Sequence, residues 1–319
     1  MFRGKILVIR GGAIGDFILT LPAMAALRRQ FPEAHLEVLG YPHIAQLALA
    51  GGVVDRVQSI EARALAGFFA RNGHLAEDLV DYFSEFDLIV SYLYDPDLIF
   101  QTNVARCTAA QFISGPHRAD ERAKVHATKA YLKPLERLAI FGADHVPRLA
   151  FGPRTECSSS VGSGFESNRS ARFEVALHPG SGSEQKNWPE AKWAGLLEHL
   201  INSTGFDLLL VGGEAEGERL QRLAAALPPA RVRVAQSLPL ADLARRLATC
   251  SAFIGHDSGI SHLAAAVGLA GLVLWGTTVE EVWRPPSDKV IVLRHPHGLA
   301  RLPVTQVVDH LRRVRLRAV

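Results

Sequence analysis

The amino-acid sequence predicts an α/β protein with two domains, each a parallel β-sheet with helices on both faces. Short apolar segments rich in β-branched residues alternate along the chain with stretches of helical periodicity. Strands separated by helices in this way typically form parallel sheets. The alternation is broken once, near residue 160, and then begins again. A chain of 319 residues is long enough for two such domains with a sizeable core.

Four strands and one well-defined helix are predicted in the first half of the chain. The strands are short apolar runs at residues 5–10, 35–40, 86–91 and 111–115. After the first strand, Phe17, Leu21, Met24 and Leu27 recur at helical spacing. The sequence therefore predicts an amphipathic helix that ends before Pro32.

The second half of the chain repeats this pattern after a segment with neither helical nor strand periodicity. That segment, residues 155–164, is rich in serine and glycine, which indicates a linker or an exposed loop. A helix is expected at residues 190–201, and the further strands are expected at residues 173–178, 206–211, 252–256 and 271–276. The predicted domains are therefore residues 1–160 and 161–319.

Composition and charge exclude several classes of protein. Charged residues make up 21% of the chain and the apolar residues are dispersed, which excludes a disordered tail or a fibre. No apolar run approaches the roughly 20 residues of a membrane-spanning helix, and the initial apolar stretch is too short for a signal-peptide core. The odd, widely spaced cysteines Cys107, Cys157 and Cys250 predict neither a disulfide framework nor a zinc site. We expect a soluble, cytoplasmic protein.

The first predicted strand ends in glycines that precede a helix directly. Gly11 and Gly12 permit a tight turn and a close approach of a ligand to backbone N–H groups. The spacing differs from the G-x-G-x-x-G pattern of dinucleotide-binding proteins, and the carboxylate of Asp16 would repel a pyrophosphate. Asp16 is then either a helix cap, worth about 1 kcal/mol, or a catalytic carboxylate. Its place after glycines at a strand end favours the catalytic role.

The loop after the strand at residues 173–178 suits an anionic ligand. Ser181, Gly182 and Ser183 offer hydroxyl groups and backbone amides to oxygen atoms. The ammonium of Lys186 can neutralise the charge of such a ligand. An ordinary polar loop with a solvated lysine has the same composition, so both interpretations stay open.

The strand at residues 206–211 is followed by two glycines and then by acidic residues. A carboxylate of Glu214 or Glu216 could accept hydrogen bonds from ribose hydroxyls, as acidic residues do in nucleotide-binding folds. Both glutamates could equally be first-turn residues that complement a helix dipole.

The most specific pattern is an Asp-Ser-Gly sequence at the start of an alanine-rich helix. Here Asp257 and Ser258 precede a helix N-terminus, which attracts anions through its N–H groups and dipole, and Gly259 permits close approach of a phosphate. His262, in the first turns, could donate to the same phosphate. A metal site formed by His256, Asp257 and His262 is disfavoured, since their spacing matches no recognised ligand set.

Taken together and in this order, these stretches resemble glycosyltransferase family 9, the ADP-heptose:lipopolysaccharide heptosyltransferases. The resemblance covers nearly the whole chain, and its motifs are Gly15-Asp16, His178-Pro179-Gly180-Ser181-Gly182, Trp188-Pro189, Asp257-Ser258-Gly259 and Gly276-Thr277-Thr278. It implies the GT-B fold, in which two Rossmann-like domains face each other across a cleft, with the acceptor on the first domain and the nucleotide sugar on the second. It also implies inverting, metal-independent transfer. No cofactor is expected, because the ADP-sugar is the donor substrate.

The resemblance implies a role for each matched residue. Asp16 takes the position of the catalytic base, and Lys186 is expected to act on the donor phosphates. Glu214 falls where the family binds the nucleoside, although the nearby Glu216 is an alternative. The other residues expected to bind the donor are Ser181, Gly182, Ser183, Asp257, Ser258, Gly259 and His262. Two stretches depart from the family's pattern and bear on the acceptor, namely Gly11-Gly12-Ala13 and residues 92–96.

Basic residues in the first half of the chain could meet an anionic glycolipid acceptor. Arg118 and Lys124 belong to a basic cluster, and with Gly12 they are the expected acceptor contacts. Residues 312–317 are also basic and are expected to add a peripheral, electrostatic contact with the inner face of the inner membrane. A solvated basic face of ordinary helices explains the same pattern equally well. No nucleic-acid partner is expected.

Other functions fit parts of this pattern. A nucleotide-binding sensor without transferase activity would use the same phosphate loops, but it has no need of the Asp16 carboxylate. A nicotinamide oxidoreductase is disfavoured because no predicted strand is followed by G-x-G-x-x-G. A transferase for a different nucleotide sugar would carry the same residues, so the sequence leaves the donor sugar open.

Overall fold

The chain forms two structural units in the computed structural model, which describes residues 3–151, 173–183 and 186–314. Unit 1 runs to Leu149 and also contains Pro239–Ala241 and Thr278–Ser287. Unit 2 consists of Ala150–Leu238, Asp242–Thr277 and Asp288–Val319. The predicted domain boundary at residue 160, the Ser/Gly-rich segment 155–164 and Cys157 lie outside the described residues.

Unit 1 contains a five-stranded sheet. Its strands are β1 (Lys5–Arg10), β2 (His35–Gly40), β3 (Arg56–Ser59), β4 (Leu88–Ser91) and β5 (Gln111–Ser114). Its helices include α1 (Ile14–Gln30), α2 (Pro42–Ala50), α3 (Glu77–Ser84), α4 (Ile99–Ala105) and α5 (Ala127–Leu132). The strand order is β3-β2-β1-β4-β5, and each of these pairings is parallel. The central strand β1 therefore ends at the middle of one sheet edge.

Helix α1 forms because its apolar residues meet the core of unit 1. Phe17, Leu21 and Leu27, which predicted the helix, are all buried. The helix ends where the Phe31 N–H donates to the Leu27 carbonyl, just before Pro32. Burial of such side chains supplies most of the stability of a helix in a protein.

Unit 2 contains a six-stranded sheet. Its strands are β6 (Glu174–Leu177), β7 (Asp207–Gly212), β8 (Val232–Gln236), β9 (Ala252–His256), β10 (Gly271–Leu274) and β11 (Val290–Leu293). The helices of the second half of the chain include α6 (Glu190–Ser203), α7 (Gly217–Ala225), α8 (Leu240–Ala248), α9 (Gly259–Ala266), α10 (Glu280–Trp283) and α11 (Val304–Leu311). The strand order is β11-β10-β9-β6-β7-β8, again with parallel pairings. Helix α10 belongs to unit 1 although it follows β10 in the chain.

The predicted α/β class with two parallel sheets is confirmed. All eight predicted strands are present, and the predicted helix at residues 190–201 is α6. Three strands were not predicted from the sequence: β3, β8 and β11. Each lies at the edge of its sheet, where a strand has one neighbour. Strands β3 and β8 contain polar residues that hide them in the sequence, whereas the apolar run of β11 was overlooked.

The parallel sheets bring the predicted motifs to defined edges. Because the carboxyl ends of parallel strands meet at one edge, the loops after β1, β4 and β5 lie together in unit 1. The loops after β6, β7, β9 and β10 lie together in unit 2 for the same reason. Among the described residues, no helix has the length and apolar character needed to span a membrane. Cys107 and Cys250 are not in disulfide bonds.

Candidate functional site

Asp16 lies in the first turn of α1, at the carboxyl end of the central strand β1. The N-cap of this helix is Ala13, whose N–H donates to Asp16 Oδ2 at 3.3 Å, so Asp16 is not itself the N-cap. Gly12 has a φ of +99°, and a Cβ placed there would lie 3.3 Å from Asp16 Oδ2. Glycine therefore gives the turn its shape beside the carboxylate. The Asp16 side chain is 31% exposed, which leaves it accessible to a ligand.

Arg10, the last residue of β1, is a buried arginine beside Asp16. Its guanidinium donates to the carbonyl oxygens of Tyr92 at 3.4 Å, His117 at 2.8 Å and Asp16 at 3.2 Å. Its Nη2 also lies 3.7 Å from Asp16 Oδ1. The guanidinium carbon lies 4.6 Å from the centre of the Tyr131 ring, a cation–π distance. Arg10 thus holds the first turn of α1 against two other loops of the sheet edge.

Sequence reasoning did not assign a role to Arg10. The signal was available, because Arg10 is a charged residue that directly follows the apolar run Ile6-Leu7-Val8-Ile9. A buried guanidinium needs several acceptors, so such a position points to a dense set of hydrogen bonds.

The expected acceptor residues Arg118 and Lys124 have different surroundings. Arg118 pairs with Glu121 at 3.0 Å, and its guanidinium carbon lies 5.4 Å from the centre of the Trp283 ring. Trp283 itself donates to Glu121 at 2.8 Å through its indole N–H. Lys124 is exposed and has a φ of +50°. The guanidinium of Arg118 is thus ion-paired with the carboxylate of Glu121, an acid three positions away in the sequence.

In unit 2, the structure brings two expected donor residues into contact. The Lys186 ammonium donates to Asp257 Oδ2 at 2.9 Å. Lys186 lies in the loop after β6, and Asp257 directly follows β9, the neighbouring strand. The side chain of Asp257 is 8% exposed and that of Lys186 is 31% exposed. Lys186 is therefore part of a structured ion pair at the sheet edge, which argues against the interpretation as a solvated lysine.

The turn after β9 forms the expected N-terminus of a helix. Ser258 is the N-cap of α9, and its hydroxyl accepts the N–H of Ser261 at 3.4 Å. Gly259 is the first residue of the helix, and His262 is nearly buried within it. First-turn N–H groups that the cap does not use are available to an anion.

His256 fixes the loop after β6 to the end of β9. One ring nitrogen, Nδ1, donates to the Gly180 carbonyl at 3.1 Å, and the other, Nε2, accepts the Trp188 N–H at 2.9 Å. Burial lowers the pKa of His256 to about 3, so the ring is neutral. Because both nitrogens bind backbone groups, His256 has none left for a metal ion. Among the described residues, no group of three or more His, Cys, Asp or Glu side chains is placed to hold one.

Ser181 and Ser183, in the loop after β6, form a turn that is stabilised by hydrogen bonds between them. The Ser181 hydroxyl donates to the Ser183 carbonyl at 2.8 Å and accepts the Ser183 N–H at 3.3 Å. Gly182 is exposed at the tip of this turn. A Cβ placed on Gly276, after β10, would lie 3.9 Å from the Lys186 Cα, so a third loop adjoins the same place.

The two glutamates after β7 are clearly distinguished by the structure. Glu214 is exposed to solvent. Glu216 accepts the Gly213 N–H at 2.8 Å and packs against Gly180, where a Cβ would lie only 2.3 Å from Glu216 Cγ. Glu216, rather than Glu214, is therefore the glutamate in contact with the loop after β6.

His178, which directly follows β6, supports the same edge. Its Nδ1 donates to the Val211 carbonyl at 2.9 Å. Burial lowers the pKa of His178 even though the nearby Glu216 carboxylate acts in the opposite direction. A neutral, hydrogen-bonded imidazole thus links β6 to the neighbouring strand β7.

Comparison with known proteins adds information that the geometry does not contain. The family model described as glycosyltransferase family 9 (heptosyltransferase) matches residues 154–306. The lipopolysaccharide heptosyltransferase 1 of Pseudomonas aeruginosa is 28% identical over 292 residues, which cover 86% of this chain and 79% of that protein.

Solved structures share the fold over almost the entire chain. A family 9 glycosyltransferase from Veillonella parvula has a TM-score of 0.77 at 17% identity and covers 98% of this chain and 97% of its own. The Escherichia coli heptosyltransferase WaaC, solved with ADP-2-deoxy-2-fluoro heptose, has a TM-score of 0.69 at 20% identity, with 97% and 99% covered. These similarities confirm the predicted GT-B fold class.

Proposed function

Since the chain belongs to glycosyltransferase family 9 and is a glycosyltransferase, we propose that it transfers a heptose from ADP-heptose to lipopolysaccharide core or a related glycan. The observation that carries the proposal is the contact between Lys186 and Asp257, 2.9 Å apart beside the N-terminus of α9. This places a cation and the N-terminus of a helix at one sheet edge, an arrangement suited to a diphosphate. The names of the relatives supply the sugar and the acceptor class.

The donor would bind along the loops after β6, β7 and β9. Its diphosphate would meet the Lys186 ammonium and the N–H groups at the start of α9, from Ser258 to Ile260. Ser181, Gly182 and Ser183 remain proposed donor contacts in the first of these loops. For the ribose, Glu214 was the expected contact, and the packing of Glu216 against Gly180 favours Glu216 instead.

Asp16 would act as the general base. The acceptor hydroxyl oxygen forms a bond to the anomeric carbon while the bond from that carbon to the leaving phosphate oxygen breaks. The hydroxyl proton passes to the Asp16 carboxylate, and ADP leaves with the bonding electron pair. One displacement from the face opposite the leaving group inverts the anomeric configuration. The contact of Asp16 with Arg10, 3.7 Å away, would keep the carboxylate oriented during this step.

The positive charge of Lys186 and the dipole of α9 would stabilise the leaving diphosphate without a metal ion. Fixed donors aimed at developing charge can replace a Lewis acid, since they need no reorganisation during the reaction. On this proposal the enzyme needs no cofactor besides its donor substrate. It would work in the cytoplasm, in peripheral contact with the membrane that carries its glycolipid acceptor.

The test is a transfer assay with ADP-heptose and a panel of other nucleotide sugars. Lipopolysaccharides truncated at successive core sugars serve as acceptors, and ADP release and product anomeric configuration are measured, with and without excess chelator. We expect transfer from ADP-heptose, inversion, and full activity in chelator. Binding of ADP-heptose with no transfer to any acceptor would instead indicate a nucleotide-sugar sensor. If the chelator removed the activity and added magnesium or manganese restored it, metal independence would be refuted.

A further inference from the structure

The loop after β4 carries an exposed aromatic side chain at the sheet edge that also carries Asp16. Tyr94 is 69% exposed, although its ring packs at a steep angle against that of His117, with centroids 4.6 Å apart and planes at 62°. His117 follows β5, the strand next to β4 in the sheet. The two rings are therefore presented at the carboxyl ends of neighbouring strands, where parallel sheets bind ligands.

The chain on both sides of Tyr94 is anchored. The Tyr92 hydroxyl donates to the Tyr131 carbonyl at 2.7 Å in the interior. The Asp95 carboxylate accepts two N–H groups at the start of α4, at 2.9 and 3.1 Å. Tyr94 therefore projects from a structured loop, and its exposure does not come from a lack of local contacts.

The loop after β5, which carries His117, packs closely against the loop after β4, which carries Tyr94. A Cβ placed on Gly115 would lie 2.6 Å from the Tyr92 ring, so the close approach of the two loops depends on glycine. This packing explains how the rings of Tyr94 and His117 come into contact. The pair is thus held at the sheet edge by residues of the loops that follow two neighbouring strands.

Arg10 connects this pair to Asp16. The buried guanidinium donates to the carbonyl of Tyr92 and to the carbonyl of His117, and it lies 3.7 Å from Asp16 Oδ1. A Cβ placed on Gly11 would contact the Leu93 side chain at 3.8 Å, so the loop after β1 also adjoins the loop after β4. Arg10 therefore links the two loops that carry the aromatic pair to Asp16.

We propose that Tyr94 and His117 form an aromatic platform for a sugar ring of the acceptor, next to the base Asp16. A sugar ring has an apolar face of C–H groups and a polar rim of hydroxyls. An exposed aromatic ring matches the face, while the Tyr94 hydroxyl and an imidazole nitrogen of His117 match the rim. Tyrosine also loses little conformational freedom on binding, which suits a contact surface. The platform rests on the proposed transfer function.

The platform is tested by four variants in the transfer assay with truncated lipopolysaccharide as acceptor. Tyr94→Ala and His117→Ala remove the rings, Tyr94→Phe keeps the ring, and Phe141→Ala is the matched control, because Phe141 is 68% exposed in the same unit. We expect Tyr94→Ala to raise the KM for the acceptor roughly tenfold, the size of a lost aromatic contact, with a smaller change in kcat. His117→Ala should act in the same direction. Tyr94→Phe should stay within a few-fold of wild type, and Phe141→Ala should change nothing.

A second measurement separates the platform from the transfer function. Core oligosaccharide freed from lipid is titrated into wild type, Tyr94→Ala and Phe141→Ala, and ADP is titrated in parallel. We expect Tyr94→Ala to weaken oligosaccharide binding about tenfold and to leave ADP affinity unchanged. An unchanged KM and oligosaccharide affinity in Tyr94→Ala would overturn the platform, as would weakened binding of ADP alone or no oligosaccharide binding by wild type. Oligosaccharide binding lost in Tyr94→Ala, without transfer by wild type, would refute only the transfer function.

Discussion

At the scale of single residues, the environment of Asp16 is the most informative feature of unit 1. One carboxylate oxygen accepts the Ala13 N–H, and the other lies 3.7 Å from the guanidinium of Arg10. The contact with Ala13 stabilises the start of helix α1, and the contact with Arg10 positions the Asp16 side chain. The helix-stabilising role and the catalytic role that the sequence left as alternatives are therefore compatible in this structure.

Substitution Asp16→Asn is expected to lower kcat by roughly 100- to 10,000-fold, because an amide cannot accept the proton of the acceptor hydroxyl. Affinity for the donor should stay within a few-fold, since the proposed donor contacts lie in unit 2. Single-turnover transfer and calorimetric titration of ADP measure the two quantities. Asp97→Asn, at an exposed carboxylate of the same unit, is the control. Turnover near that of wild type in Asp16→Asn would remove this residue as the base.

The contact between Lys186 and Asp257 is the basis of a second prediction about a single residue. Lys186→Ala should weaken ADP binding about 10- to 100-fold, because a charge-assisted hydrogen bond is lost and the Asp257 carboxylate loses that ammonium. Binding of adenosine, which has no phosphate, should change much less. Lys289→Ala, at an exposed lysine, serves as the control in the same titrations. Equal losses for ADP and adenosine would contradict a phosphate role for Lys186.

At the scale of secondary-structure elements, two neutral histidines of unit 2 fix the position of the loop after β6, where the donor is proposed to bind. His256 joins the loop after β6 to the end of β9 through backbone groups at 2.9 and 3.1 Å. His178 joins β6 to β7, with Nδ1 2.9 Å from the Val211 carbonyl. Burial lowers the pKa of both side chains. The position of the loop therefore depends on imidazoles that carry no charge.

This arrangement predicts a loss of stability in mild acid. The pKa of His256 falls from 6.5 in the unfolded chain to about 3 in the fold, so the unfolded state binds more protons between these values. The stability is fully present above pH 6.5 and decreases as the pH falls. By pH 5 the loss from this group alone should be on the order of 1–2 kcal/mol.

Thermal melting measured from pH 7.5 to pH 5 tests this prediction. The window lies above the range in which ion-paired carboxylates such as Glu190 and Asp55, whose pKa values are lowered, take up protons. His256→Gln, which keeps a donor and an acceptor but does not titrate, should show a smaller decrease in Tm over the same window. A decrease as large as in wild type would show that His256 is not its source.

At the scale of the whole molecule, the chain has a formal net charge of +3 and a basic terminal segment. Within that segment, Arg312 contacts Asp309 at 3.6 Å, and Arg315 and Arg317 lie outside the described residues. Arg118 is likewise paired, with Glu121 at 3.0 Å. These pairs reduce the positive charge available to an anionic surface but leave an excess of basic residues.

The protein is expected to co-sediment with vesicles of anionic lipid and not with neutral ones. Each basic residue near such a surface contributes on the order of 1 kcal/mol, and salt screens it over about 10 Å at roughly 0.1 M. Binding should therefore weaken along a salt series. Arg312→Glu combined with Arg313→Glu should reduce it more than Arg29→Glu, on the surface of α1. Equal binding to both lipids, or none at low salt, would exclude this membrane contact.

Prediction from sequence succeeded where neighbouring residues carry the signal. The short run at residues 5–10, with its apolar centre, predicted β1. The helical spacing of Phe17, Leu21, Met24 and Leu27 predicted α1. The edge strand β3 was missed because Arg56–Ser59 is short, polar and at most half-buried. The assignment of residues 278–287 to unit 1 was also missed, since the indole of Trp283 meets its acceptor Glu121 across 162 positions of the chain.

The sequence by itself determined two parallel sheets and the loops at which their functional residues stand. Periodicity, glycine placement and strand ends depend on interactions within a few residues, so they can be read locally. Only the tertiary structure decided that Lys186 pairs with Asp257, that Glu216 rather than Glu214 meets Gly180, and that Arg10 holds Asp16. Lys186 and Asp257 are 71 positions apart, and they meet because β9 pairs with β6 in the sheet. Strand order follows from the packing of the whole core, which local patterns do not specify.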